Sequence, residues 1–415
     1  MSAKVTNSWG SALLSKTVRS PAMRFHDFRL LLASALFDSM GFMGESVVLG
    51  WVILEMTDSP FMVGVAVGIR HAPAFFLGVV AGTVADIIDR RKLMRSLMAL
   101  SALVALGMGL LLSSGEAQLW QLLLVPMVGG SIGTTSMTTR QSFVFDVVGP
   151  ENALNGMAYL SLAMRFGGMI GALAVGFILA NFGPGGGYFV LASGYLGSTI
   201  ILSFIRSRGQ AAPAGGVNML KGVVEFWTEL RHNRTVSALV IVVVFVEFFG
   251  FTTQALMPSF ARDVLEIGAE GLGLLTAIFA AGGMLGILLV SVFGEIRRQG
   301  LVFIVALHVF GGALLILGFA PNLYVAIIAI LVMSAMMALS DLFSQTLMQR
   351  LVPNDLRGRA MGVWTAAVGT APVGNLTIGA LASIFGVTAA LAFHGAGLIA
   401  VAVITVSVFG KLRRV

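Results

Sequence analysis

Seven ionisable side chains stand inside long apolar stretches of this 415-residue chain: Asp38, Glu45, Arg70, His71, Arg165, Glu247 and Asp341. A charge in hydrocarbon is costly. Each such residue therefore pairs with another, lines a wet cavity, or carries a proton or charged ligand. Asp38, Arg70 and Arg165 fall near the middle of their stretches, so a pair of Asp38 with Arg70 or with Arg165 is expected, as a purely structural bond or as part of ion coupling. Glu45 follows Asp38 by seven residues, which puts it near the same helical face about two turns away. Without an evident partner, Glu45 is a candidate proton carrier or a wet cavity-lining residue. Glu247 and Asp341 would give acidic walls that favour protons or cationic solutes; Asp341, nearer the end of its stretch, could also belong to a gate.

Other chemistry is poorly supplied. There are no cysteines, and no phosphate-binding loop, metal-ligand cluster or nucleophile–base set is evident, so no cofactor is expected and no enzyme activity. His308 and His394 read as packing or hydrogen-bonded residues. Gly64-x-x-x-Gly68, Gly78-x-x-x-Gly82 and Gly282-x-x-x-Gly286 suit close helix packing. The 29 phenylalanines and 22 methionines suit greasy, variable ligands as well as lipid-facing surface.

The elements that must position these residues are membrane helices. Hydrophobic residues make up 57% of the chain and charged ones 11%. A water-soluble domain needs roughly a quarter charged to cover its surface. Apolar runs of about 20 residues or more, enough to cross a bilayer, occupy 28–56, 59–85, 91–113, 117–140, 150–181, 187–205, 235–261, 270–294, 299–319, 322–349, 355–385 and 388–410. The expected fold class is all-α: twelve transmembrane helices in two six-helix bundles, with lipid as a partner and a monomer as the assembly.

Basic residues fix the expected orientation. All but three of the 26 Lys and Arg fall in the tails and the even-numbered loops, with Arg140 read as part of the connection after span four. The three others are Arg262, in a loop on the opposite side, and Arg70 and Arg165, inside spans. The positive-inside rule then puts both termini in the cytoplasm. The net charge of +7 is explained by topology, and no nucleic-acid partner is expected.

The predicted organisation is a cytoplasmic tail over 1–27, a six-helix bundle over 28–206, a linker over 207–234, a second bundle over 235–410 and a tail over 411–415. In the linker, Val217, Leu220, Val224, Trp227 and Leu230 share one helical face, and Lys221, Glu225 and Glu229 the other, as in an interfacial amphipathic helix or a solvated linker helix. The halves echo each other. Val148-Gly149-Pro150-Glu151 precedes span five and Val352-Pro353-Asn354-Asp355 precedes span eleven. Repeats of this kind place a solute site between the halves near the midplane.

The segment Gly82-Thr83-Val84-Ala85-Asp86-Ile87-Ile88-Asp89-Arg90-Arg91-Lys92-Leu93 resembles the loop signature of the major facilitator superfamily, Gly-x-Leu-Ala-Asp-Arg-x-Gly-Arg-Arg, at its expected place between spans two and three. It departs at Ile87 and at Asp89. Together with Arg140-Gln141-Ser142-Phe143 and Arg357-Gly358-Arg359-Ala360-Met361-Gly362, that aspartate resembles the branch containing enterobactin exporters and macrolide efflux proteins. The resemblance implies a gating role for Asp86, Asp89, Arg90, Arg91, Arg357 and Arg359, through charge-assisted bonds that hold one face closed. It also implies spans 1, 4, 7 and 10 around a central cavity and 3, 6, 9 and 12 at the periphery. Two family features are absent: the Gly-Pro step of span five, where Gly167-Gly168-Met169 stands, and an arginine within Gln121–Gly130 of span four. The expected activity is secondary active export of amphipathic small molecules across a bacterial inner membrane, with protons as the coupling ion. The alternatives are an uptake transporter of the same fold and a membrane receptor or scaffold that transports nothing.

Overall fold

The computed structural model describes residues 21–207, 209, 234–293, 298–352, 360, 364 and 367–408. The proposed linker helix, most of the N-terminal tail, the C-terminal tail, Arg357 and Arg359 lie outside the described residues, as do the side chains at 78–87, Asp86 included.

Every described element is helical. In the N-terminal half α1 is His26–Thr57, α2 Pro60–Ile87, α3 Arg90–Ser114 and α4 Leu119–Val148. One continuous element, Ala153–Phe204, runs for 52 residues. That is far longer than the about 20 residues a bilayer needs. It breaks at Gly183, whose φ of 77° is a left-handed conformation open to glycine, with Pro184 restarting the helix. Residues 153–182 are α5 and 184–204 are α6. The C-terminal half has α7 at Arg234–Phe249, continued by short turns to Val264, then α8 Gly268–Phe293, α9 Gln299–Gly318, α10 Leu323–Arg350, α11 Ala371–Phe385 and α12 Val387–Val408.

The surfaces of these helices are those of a membrane protein. On α3, Leu103 and Leu110 are exposed; so are Leu196 and Phe204 on α6, Val305 and Ile316 on α9, and Phe393 and Ile404 on α12. Eight described helices are long and apolar enough to span a bilayer by length and composition, the 52-residue element counted as one of them. Helix α4 falls outside that set, because Ser131, Thr134, Thr135, Ser136, Thr138, Thr139 and Arg140 make its second half polar. Most of these hydroxyls donate to the carbonyl four residues back, as Thr134 does to Gly130 and Thr139 to Thr135. The bonded hydroxyls need no water, and the helix continues to Val148. Arg140 accordingly stands inside α4 and not in the following loop, which corrects the placement expected from sequence.

Helix pairing repeats between the halves. In the first, α1 packs on α5, α2 on α4 and α3 on α6; in the second, α7 packs on α11, α8 on α10 and α9 on α12. Glycine permits the close approaches. A Cβ on Gly130 of α4 would collide with the backbone carbonyl of Arg70 on α2. The halves meet along α2 with α11 and α5 with α8. At the latter crossing Gly176 faces Gly273 with backbone against backbone.

Candidate functional site

Three groups of charge sit between the helices, two within the first half and one reaching from the first half into the second. The first joins α1 to α4. Arg140 Nη1 donates to Asp38 Oδ2 at 2.5 Å, and the Arg140 side chain is 1% exposed. Asp38 thus pairs with neither Arg70 nor Arg165, as the sequence suggested, but with an arginine 102 residues away. The Nε and Nη2 atoms of Arg140 have no hydrogen-bond partner, so Asp38 is the group that compensates this cation. A buried pair of this kind holds a particular helix arrangement more than it adds stability.

The second group joins α1 to α2. Arg70 Nη2 lies 3.2 Å from Glu45 Oε2, and both side chains are 6% exposed. Glu45 is therefore paired, contrary to the expectation that it stood alone. The same Nη2 donates to the carbonyl of Phe42 at 2.7 Å, and the guanidinium carbon stacks 4.0 Å above the Phe42 ring. One hydrogen bond, one ion pair and one aromatic face fix the orientation of Arg70. Its Nε–H is buried without a partner, a condition that costs about 1–3 kcal/mol.

The pair spans a wall between two cavities. On the interbundle side a cleft is lined by Phe42, Ser46, Arg70 and His71 together with Gln254 and Pro258 from the continuation of α7. On the other side a second space is lined by the first-half residues Glu45, Ser101, Tyr188 and Tyr195. The Glu45 carboxylate packs there against the bare backbone of Gly129, and the fully buried Tyr188 hydroxyl has no partner. The cleft thus meets the positive end of the ion pair, and the inner space meets the negative end.

The third group lies between α5, α7 and α10. Arg165 and Asp341 interact electrostatically without closing to the 4 Å of a salt bridge, and Asp341 accepts a bond from Gln345 at 3.1 Å. The Arg165 tip occupies the slot left by Gly283 of α8, so this guanidinium reaches from the first half into the second. Glu247 on α7 is 3% exposed, interacts with Asp341, and has no ion-pair or hydrogen-bond partner among the described residues. Two carboxylates and one guanidinium here leave an unbalanced negative charge, which a proton would neutralise.

The signature segment is mostly helical. Asp89 caps α3 by accepting from the backbone N–H of Arg91 at 3.0 Å and of Lys92 at 3.2 Å. Arg90 pairs with Asp146 at the end of α4 at 2.7 Å, and Arg91 donates to the Ile205 carbonyl after α6 at 2.8 Å. These contacts tie the ends of α3, α4 and α6 within one half.

A contact that sequence reasoning missed links the halves at the opposite end. Arg262 donates to Asp58 Oδ1 at 2.5 Å and to the Leu54 carbonyl at 3.2 Å, in the final turn of α1. Asp58 holds a left-handed φ of 47° while closing that helix. The available signal was topological: Arg262 was the lone basic residue in a loop on its side. His308 and His394 are hydrogen-bonded, His308 to the Ile304 carbonyl and His394 to Thr252 and the Phe249 carbonyl.

The profile of the family described as transmembrane secretion effector matches residues 18–414. Among curated relatives, the enterobactin exporter EntS of Salmonella typhi is 25% identical over 380 residues, covering 91% of this chain and 90% of that one. EntS of Citrobacter koseri is also 25% identical, over 382 residues, covering 91% and 89%. Among solved structures, the nucleoside transporter NupG superposes with a TM-score of 0.73 at 12% identity, covering 92% of this chain and 99% of that one. A bacterial homologue of the human lysosomal transporter Spinster, in an inward-facing unoccupied conformation, gives 0.65 at 19%, covering 94% and 96%. At these identities the structural likeness speaks to fold alone.

Proposed function

This chain belongs to the transmembrane secretion effector family of major facilitator transporters, and we propose from that premise that it exports a small amphipathic molecule by alternating access. The observation that carries the reading is the interbundle cleft, built by α1, α2 and the continuation of α7 and bordered by the buried Arg70–Glu45 pair. Export follows the relatives, which are enterobactin exporters; the solute of this chain is its own.

In this mechanism twelve spans form two units that rock about the solute. The distribution of basic residues supports cytoplasmic termini in a bacterial inner membrane, although Arg140 drops out of the cytoplasmic set. The turn between α1 and α2 then faces outward, and the Arg262 bonds to Asp58 and Leu54 hold the outer ends of α1 and α7 together. Opening outward breaks them and draws Arg165 off Gly283. On the inner side, Asp86 with Arg357 and Arg359 would form the gate that breaks in the opposite step, while Asp89, Arg90 and Arg91 position the helix ends around it.

Protons supply the drive. Glu247 is the proposed carrier, with Asp341 and Arg165 setting its charge state as the halves move. Asp38 with Arg140 is structural. The transporter works as a monomer surrounded by lipid. To test this, the chain is expressed in a susceptible host lacking its major pumps, and accumulation of a chemically varied panel is measured with and without an uncoupler. Reduced accumulation that the uncoupler reverses is expected. Equal accumulation in expressing and empty cells across the panel would overturn export.

A further inference from the structure

Glu247 and Asp341 suggest, from sequence alone, acidic walls that favour cations; the geometry points the other way. We infer that the cleft binds its solute through an anionic oxygen group, such as a carboxylate, held by Arg70 with help from Gln254. This rests on the transport reading above and names the substrate class of the same site.

Four observations carry it. Arg70 lines the cleft while its partner Glu45 lines the separate inner space, so a solute meets the cation and not the carboxylate. The guanidinium is buried and immobilised by the Phe42 carbonyl and ring, which makes it a built site and not a wandering surface charge. Its Nη2 is spent on Phe42 and Glu45, whereas Nε is buried without a partner and Nη1 makes no hydrogen bond. Across the cleft, Gln254 adds a side-chain amide from the other half of the molecule.

Coulomb attraction falls with distance. An oxygen in hydrogen-bond contact with the guanidinium would stand about twice as far from the Glu45 carboxylate as from the cation, so attraction prevails over repulsion. The Phe42 ring and Pro258 give the apolar part of an amphipathic solute a surface beside the polar anchor. Because Gln254 belongs to the second half, a solute bridging it to Arg70 senses the relative position of the halves, which binding must do if it is to drive rocking.

The test uses the full chain purified in detergent and three matched probes: 4-butylbenzoate, its neutral methylamide and 4-butylbenzylamine. Calorimetric titration is expected to rank benzoate about tenfold or more tighter than the amide, the size of one charge-assisted hydrogen bond. Arg70→Gln should remove that preference and leave amide binding in place. Glu45→Gln, which frees the guanidinium from its competing carboxylate, should strengthen benzoate binding by about fivefold or more, an effect that a merely structural Arg70 would not produce. Where Arg70→Gln fails to fold, the charge-balanced double variant Glu45→Gln/Arg70→Gln takes its place, with the same loss of preference expected. Benzylamine binding tightest, or a benzoate preference that survives removal of Arg70, overturns the inference. Loading the probes into proteoliposomes separates the two readings. Benzoate that binds but is never moved refutes transport and leaves the anion site standing; amine moved in place of benzoate refutes the anion site and leaves transport standing.

Discussion

Replacing Asp38 by asparagine tests whether the α1–α4 ion pair is structural. Arg140 is 1% exposed, and its other guanidinium nitrogens have no partner, so Asp38 is what makes the charge tolerable. Removing one member of a buried pair costs about 3–5 kcal/mol, because the other is left uncompensated. At about 2–4 °C per kcal/mol for a large domain, and less for a chain of this length, the loss lowers the melting temperature by about 5–10 °C. Arg140→Gln should cost less, since the Asp38 side chain it leaves behind is 13% exposed. The double variant Asp38→Asn/Arg140→Gln carries no buried charge and should melt within a few degrees of the parent. Its coupling energy of about 2–4 kcal/mol would be far beyond the 0.3–0.5 kcal/mol within which independent sites add. Fluorescence-monitored melting of the four proteins in one detergent completes the cycle. If Asp38→Asn melts with the parent, or if the double variant falls by the sum of the singles, Asp38 does not compensate Arg140 and the reasoning fails.

Glu247→Gln is expected to abolish uncoupler-sensitive efflux while solute binding to purified protein persists; full energised efflux in this variant would exclude Glu247 as the proton carrier. Arg262→Ala removes, besides its local pair with Asp263, one carbonyl bond and one solvent-exposed ion pair between the halves, these two together worth about 1 kcal/mol, so the outward-open population should rise about fivefold, read by spin-label distances between the outer ends of α1 and α7. An unchanged distance distribution would mean that these bonds do not hold the outer face. Gly176→Leu forces a side chain into the backbone of Gly273 and should eliminate transport while protein still reaches the membrane, measured by accumulation alongside quantified expression; normal transport would show that α5 and α8 need not approach so closely.

The membrane class, the helical architecture and the family were legible in the linear chain. Each rests on something a single segment carries: its solvent, set by apolar content over about 20 residues, or a local motif such as Gly82–Leu93. Of the fully buried ionisable residues, Glu45, Arg70 and Glu247 were legible for the same reason; an exception was Arg140. It was misplaced because a charge after a run of serines and threonines looks like a helix end, and only the backbone-bonded hydroxyls and Asp38 make it an interior position.

Partnership was another matter. Asp38 finds Arg140 rather than Arg70, Glu45 finds Arg70, and Arg262 reaches Asp58 across 204 residues. Composition tells a helix which medium to enter, but whether two charges meet depends on the depth and rotation of both helices. Those are set by packing, as where Gly130 lets α4 close onto the Arg70 carbonyl. The sequence by itself determined that this protein holds charge inside a membrane. Only the tertiary structure decided which charges cancel and which one faces the cleft.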